Sequence, residues 1–382
     1  GIGLYALSTN TTAAENTAVG AYSLSTNTTG TKNTAIGKGS LQTNSTANNN
    51  TAVGYNALIE NTTGFQNSAV GSEALTKNTT ASNNTAMGVA ALACNTTGSN
   101  LTAMGTQALQ TNTTGHTNVA MGCKAMFCNT TGNTNVGIGN LALFSNTTAV
   151  GNTAVGTCAL NGNTTGAENA AVGHCALKSG TTHAQNVAMG TCALFTNTTG
   201  ANNTSVGNYS SKLNTTGACN VTMGYSALCK NTTASNNTAI GAGALCDNTE
   251  GNTNVAVGRL ATKAVTTGDN NVAIGNEAMS DLTTGNNNVA IGIASGADGM
   301  VNISGGNSNR LAVGNNSTSN SYVKVDWTVT SDERDKMNFE EVPHGLDFVN
   351  QLKPVSFVFK KSREDATPHG FQKYGFKAQD IL

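Results

Sequence analysis

The stretch Asn50-Thr-Ala-Val-Gly-Tyr-Asn-Ala-Leu-Ile-Glu-Asn-Thr-Thr-Gly64 contains the whole logic of the fold. Two residues later the text restarts as Asn67-Ser-Ala-Val-Gly71, and it recurs with the same phase through most of the chain. Its central glycine stands at every 17th position from Gly3 to Gly292, eighteen times without an insertion. The residue before it is always Val, Ile or Met; Ala-Leu follows at the third and fourth positions in most repeats, as in Ala57-Leu58 and Ala159-Leu160. A constant period means that each unit takes the same place on a regularly advancing chain. Seventeen residues are too few for the paired helices of an α-solenoid. Apolar runs of two to four residues, closed by Gly and Asn-Thr-Thr, fit short strands and turns. The expected fold is therefore an all-β repeat: a parallel β-solenoid, of β-roll or β-helix type, with one coil per 17 residues. The recurrent glycine supplies a corner with positive φ, and stacked Val/Ile/Met and Leu are expected to form a continuous dry core. At the usual strand spacing, 18 coils make a rod about 85 Å long. So thin a core buries little per residue, and association of several rods is the natural remedy.

Composition agrees with a repeat and excludes several classes. The 382 residues include 44 Gly but only 3 Pro, which rules out collagen. Net charge is −1, with no basic tract of the kind a nucleic-acid or anionic-membrane binder displays. No apolar run approaches a membrane span. Charge is also segregated: residues 1–300 hold nine of the 19 basic and ten of the 20 acidic residues, and the last fifth holds the rest together with every proline and the only tryptophan, Trp327. Three regions follow: a shaft over 1–295, a neck or transition over 296–330, and a small α+β module over 331–382. The regular register breaks after Gly292, since Gly314 falls 22 residues on, and the solenoid is expected to end there. Leu101 in an asparagine position and Ser210-Ser211 in the Ala-Leu position are the other departures.

Thirteen repeats carry Asn-Thr-Thr or Asn-Ser-Thr at one phase: Asn10, Asn27, Asn44, Asn61, Asn78, Asn95, Asn112, Asn129, Asn146, Asn163, Asn197, Asn214 and Asn231. Each is formally an N-glycosylation acceptor. The alternative is that Asn and Thr stack as hydrogen-bonded ladders. Among nine cysteines, Cys158, Cys175 and Cys192 share one phase and Cys229 and Cys246 another, so stacking places them one above the next. Reduced thiols filling small positions, or vertical disulfides, both fit. No Cys-x-x-Cys and no His at ligand spacing points to zinc, and no cofactor is implied. The five histidines share no phase and are read as surface residues.

The unit Asn-Thr-Ala-Val-Gly-x-x-Ala-Leu resembles the head repeats of trimeric autotransporter adhesins, and more closely the arrays of phage and large-virus tail-fibre proteins. That resemblance implies a homotrimeric shaft at a virion surface or outside a cell. The C-terminal module is similar to the intramolecular chaperone domain of phage endosialidases and tail fibres. The matching residues are Ser331-Asp332-x-Arg334-x-Lys336, Gly345-Leu346, Leu352-x-Pro354-Val355-x-Phe357 and Gly375-Phe376-x-Ala378-Gln379. This likeness implies a domain that trimerises, aligns three chains and cuts itself off before the motif serine. Carried over, the scissile bond is Thr330-Ser331, with Ser331 the nucleophile and Lys336 the general base, a single-turnover serine-type autoprotease. The chemistry is sound, because a lysine desolvated enough to be neutral takes the proton of a weak hydroxyl nucleophile. Spacing alone equally allows Ser331 to cap the following segment. Domains of that family continue beyond the position of Leu382, and the chain opens inside a repeat, so a truncated copy within a larger protein is expected.

Around these motifs, the short module reads as a strand over 322–329, a helix over 341–352 and a strand over 353–360. The segment Tyr374–Ile381 reads as a strand turning into a helix. The functional expectation is a structural fibre. A cellular adhesin, or a secreted glycosylated filament that binds a host-surface glycan or receptor, is the alternative. A polysaccharide-degrading tailspike lacks the paired acids it would need.

Overall fold

The computed structural model describes residues 1–297, 302–319, 352–360, 367–375 and 377. It forms two units, Gly1–Asn315 and Asn316–Leu382. The first is a parallel β-solenoid. Eighteen three-residue strands run from β1 (Thr17–Val19) to β18 (Leu311–Val313), each paired in parallel with the next in chain order. The register is exact: Thr17 faces Thr34, Ala18 faces Ala35, and Val19 faces Ile36. No helix occurs among the described residues.

Backbone hydrogen bonds between coils are not confined to the strands. Leu24 N donates to Ser40 O at 3.1 Å, Thr26 N to Gln42 O at 3.2 Å, and Thr28 N to Ser45 O at 3.0 Å, while Gly37 N reaches back to Val19 O at 2.8 Å. The polar backbone of the turns is thereby satisfied by the neighbouring coil, as an interior wall requires.

The interior differs from the sequence expectation. In the strands, Ala points inward and the residues on either side point out; Ala52, Ala57 and Leu58 of one coil are completely buried. The core is thus a column of two alanines and one leucine per coil. Val/Ile/Met of the Val-Gly step, expected inside, line the outer surface, with Ile36 40% and Met223 48% exposed. Strand alternation accounts for this: with only three residues, one of each strand faces in, and the walls stand close enough that it must be small.

The leucine takes an unusual backbone. Leu58 has φ 53° and Leu160 φ 51°, in the left-handed region. That costs a non-glycine residue about 1–2 kcal/mol, while full burial of the side chain contributes about 1.5–3 kcal/mol. Burial wins, and the corner is kept. At the invariant glycine no such exchange exists: Gly122 has φ 132°, and a Cβ there would lie 2.5 Å from the Gly139 carbonyl oxygen. Local compensation also occurs. Met126 replaces leucine, and the inward alanine of the next strand is Gly137, where a Cβ would meet Met126 Cγ at 2.9 Å.

The solenoid does not end at the register break. β17 (Val289–Ile291) pairs with β18 across the 22-residue step, Val289 facing Leu311 and Ala290 facing Ala312. Ile303 and Ala312 are buried in the same core, and Leu282 bridges to Gly305. The core therefore resumes beyond the step, and the region expected as a neck from residue 296 includes one more solenoid coil that reaches Gly314.

In the second unit, β19 (Val355–Lys360) pairs antiparallel with β20 (Pro368–Gly375), with a register shift between Phe357 and Phe359. The strand read over 353–360 is present. β20 begins six residues before Tyr374, where Pro368 and Gly370 mask the strand pattern in the sequence. The expected strand over 322–329, the helix over 341–352 and the segment after 377 lie outside the described residues.

Candidate functional site

Three features of the first unit bear on function: an outward apolar row, two internal asparagine ladders, and the sites where the repeat changes.

All eighteen strands end in Val, Ile or Met, and all begin with Thr, Ser, Val, Ala or Leu. These outward residues form two parallel rows without a charge along the solenoid. The position two residues after the strand end is more exposed, and it holds Lys38, Asn140, His174 and Arg259 as readily as Tyr55. Exposure alone therefore does not demand an apolar side chain. The row is apolar without exception although it does not fill the core.

The Asn-Thr-Thr motif is internal framework. Asn44 Nδ2 donates to Asn27 Oδ1 at 2.9 Å and to Ala47 O at 3.1 Å; the same pair of bonds recurs from Asn27 to Asn163 and from Asn214 to Asn248. The first threonine ties adjacent coils, as when Thr62 Oγ1 donates to the Thr79 carbonyl at 3.1 Å. Of the thirteen sequon asparagines, Asn10 is partly exposed and the other twelve are fully buried. A glycan on any of those twelve would take the amide nitrogen out of its ladder, so the folded shaft presents them as structure and not as acceptors. A second ladder uses the asparagine that opens each repeat. Asn50 N donates to Asn33 Oδ1 at 3.0 Å, and Asn50 Nδ2 donates to Gly64 O at 2.9 Å. Leu101, the one apolar residue in this phase up to Asn288, is buried in the core and still donates its N–H to Asn84 Oδ1.

The first ladder is interrupted once. Gly180 stands where Asn is expected, and the imidazole of His183 fills the space, since a Cβ at Gly180 would collide with its ring. His183 is therefore buried, contrary to the surface reading, whereas His116 and His174 are exposed. Its Nδ1 lies 3.2 Å from Asn169 Oδ1, while its Nε2 and Asn163 Oδ1 have no hydrogen-bond partner. Burial pushes its pKa down to about 4. The signal in the sequence was the missing asparagine at 180, three residues away, and not the histidine.

Core chemistry changes between Leu194 and Ala227. There Ser205 and Thr222 replace the inward alanines, and Ser210 and Ser211 replace Ala-Leu; all four are buried. Ser205 Oγ donates to the Ser210 carbonyl at 2.9 Å, Ser210 Oγ donates to Thr222 Oγ1 at 2.8 Å, and Thr222 Oγ1 donates to Ser205 Oγ at 3.0 Å. Ser211 Oγ lies 3.0 Å from Thr222 Oγ1. This hydroxyl cluster divides the apolar core into two blocks, one ending at Leu194 and the next starting at Ala227.

All nine cysteines are free thiols; Cys175 is buried, Cys123 and Cys219 are exposed, and the rest are half-buried. No group of three or more His, Cys, Asp or Glu suited to a metal ion occurs among the described residues, and no helix there is long and apolar enough to cross a membrane. Thr330, Ser331 and Lys336 lie outside the described residues.

Residues 331–382 match the family described as the chaperone of endosialidase. No curated protein and no solved structure matches the chain. The family match covers the segment that the Ser331 and Gly375 motifs mark, and the solenoid precedes it: a repetitive β-shaft followed by a chaperone of endosialidase-type sequence.

Proposed function

We propose that this chain is the shaft of a homotrimeric fibre, at a virion surface or outside a cell, assembled by its C-terminal chaperone segment. The observation that carries the reading is the unbroken outward row of Val, Ile and Met. A partner that contacts this row must offer a matching surface at the same rise per coil. Further copies of the same solenoid do so for its whole length, and the row supplies the apolar burial that the thin alanine and leucine column lacks.

The chaperone segment answers a problem that such a shaft creates. Coils of one sequence pattern slip past one another by one repeat at little cost. A clamp at one end sets the register before the shaft zips up, and cleavage at Thr330-Ser331 by Ser331, with Lys336 as base, would make the assembled state irreversible. In this reading enzymatic chemistry is limited to that single cut.

Light scattering on the full chain tests the assembly, with three chain masses expected. Lysines in place of Met87, Met104 and Met121 should yield monomers of unchanged strand content. A monomeric parent chain would overturn the trimer. Electrophoresis of the parent beside Ser331→Ala tests the cut: the parent should lose the last 52 residues and the variant should keep them, and identical migration removes the autoprotease.

A further inference from the structure

We propose that Cys229 and Cys246 are a disulfide-forming pair, a covalent staple between two adjacent coils at the start of the second core block. Their Sγ atoms are 3.6 Å apart. They occupy the same phase, one directly after Leu228 and the other directly after Leu245, so their backbones are separated by about one strand spacing of 4.8 Å. That lies within the Cα separation a disulfide spans, and a side-chain rotation suffices to bring the sulfurs to bonding distance.

The surrounding contacts hold the two coils together at this point. Lys230 N donates to the Cys246 carbonyl at 3.1 Å, and one position on, Lys230 Nζ lies 2.8 Å from Asp247 Oδ1. Both cysteines are half-buried and reachable by a small reagent. Cys229 is followed by the Lys230 ammonium and Cys246 by the Asp247 carboxylate; the hydrogen bond between the two thiols, with help from Lys230 and Lys212, holds Cys229 down at about 7, while that contact, burial and the nearby carboxylate push Cys246 up. The pair therefore has a defined attacking sulfur and a defined resolving one. The column Cys158, Cys175 and Cys192 is less suited. Its central thiol is buried, and burial raises its pKa.

The reaction is exchange with a small-molecule disulfide. The Cys229 thiolate attacks one sulfur of the reagent, its S–S bond breaks, and the first thiol leaves with a proton from solvent. Cys246 then loses its proton and attacks Cys229 Sγ, the mixed disulfide breaks, and the second thiol is released. Two protein thiols are oxidised and one small disulfide is reduced to two thiols. The location gives the staple a role: it lies one coil beyond the hydroxyl cluster that interrupts the apolar column and ties the first coils of the second core block covalently.

The test uses the full chain carrying Cys219→Ser, because Cys219 shares a tryptic peptide with Cys229. The protein is incubated with oxidised glutathione, alkylated, digested and weighed. The peptides 213–230 and 231–259 should appear joined, lighter than their sum by two hydrogens, before any other cysteine pair. With Cys246→Ser added, Cys229 should accumulate as a stable mixed disulfide with glutathione; with Cys229→Ser instead, Cys246 should remain largely unmodified. Unlinked peptides, earlier linkage within the Cys158 column, or no trapped adduct in the Cys246→Ser protein would each overturn the proposal.

Discussion

The coils around Leu143 and those around Ser211 have the same outline and opposite interiors. In the first, Ala142, Leu143 and Ala154 close on one another without a polar atom; in the second, Ser205, Ser210, Ser211 and Thr222 close through hydroxyl hydrogen bonds. Yet β12 (Thr204–Val206) and β13 (Val221–Met223) keep the register of every other pair, Ser211 keeps the left-handed φ of the leucines it replaces, and Asn214 continues the amide ladder through the same coils. The course of the chain is therefore dictated by its perimeter: glycine corners, inter-coil backbone bonds and amide ladders. The apolar column adds stability to a path already determined.

If the perimeter decides, glycine corners should be intolerant in both regions alike. Gly122→Val and Gly207→Val each place a Cβ about 2.5 Å from the carbonyl of the next coil, and each should destabilise by upward of about 5 kcal/mol, read as a lost or collapsed denaturant transition. A mild effect at Gly207 alone would show that the hydroxyl coils are looser, and would break the equivalence. Ladder residues come next. Asn129→Ala leaves Asn112 Oδ1, which Asn129 now engages, and Asn146 Nδ2 each one bond short inside the wall. With about 1–3 kcal/mol for each buried group so abandoned, a loss of about 4 kcal/mol is expected, and Asn214→Ala among the hydroxyls should match it.

His183 offers a third comparison, between an amide and an imidazole in one slot. Its folded pKa, about 4, is below the ordinary value near 6.5, so the unfolded chain binds the proton first. Stability from this group is complete above pH 6.5 and falls as the pH drops toward 4, by about 3 kcal/mol in all. The double variant Gly180→Asn, His183→Gly restores the common pattern and should flatten that part of the profile in denaturant titrations at pH 7, 5.5 and 4. The smallest effect is expected from the core itself. Replacing Ser205, Ser210 and Thr222 by Ala and Ser211 by Leu joins the two apolar blocks, and the gain from leucine burial less the lost hydroxyl bonds should be about 2 kcal/mol. A loss instead would mean that the hydroxyl network, and not only the perimeter, determines these coils.

The period, the parallel stacking and the glycine corner were readable in the sequence because each depends on local chemistry repeated without exception. The facing of Val and Ala was not, because hydrophobicity ranks valine inside while a three-residue strand turns only its middle residue inward and the flanking valine out. The 22-residue spacing after Gly292 looked like an ending for a related reason: a register break in the text does not say whether the core resumes beyond it, and the buried Ile303 and Ala312 show that it does. Asparagine carries two readings from one motif, acceptor or ladder, and only the burial of Asn27 and its equivalents separates them. The buried His183 was signalled by its partner position, where Gly180 vacated the space, which is visible only when repeats are compared column by column.

The amide ladder has one more property. Every link points the same way, the Nδ2 of the later asparagine toward the Oδ1 of the earlier one, as in Asn27 to Asn10 and Asn163 to Asn146. Aligned amides add as dipoles, so each unbroken run is a polarised wire with unlike terminals. Its last member holds a bare acceptor, and Asn163 Oδ1 and Asn248 Oδ1 are the two ladder oxygens left without a partner. Each run thus ends on an electronegative face, complementary to the leading amide of another run, and the stack has a head and a tail before any further domain is attached.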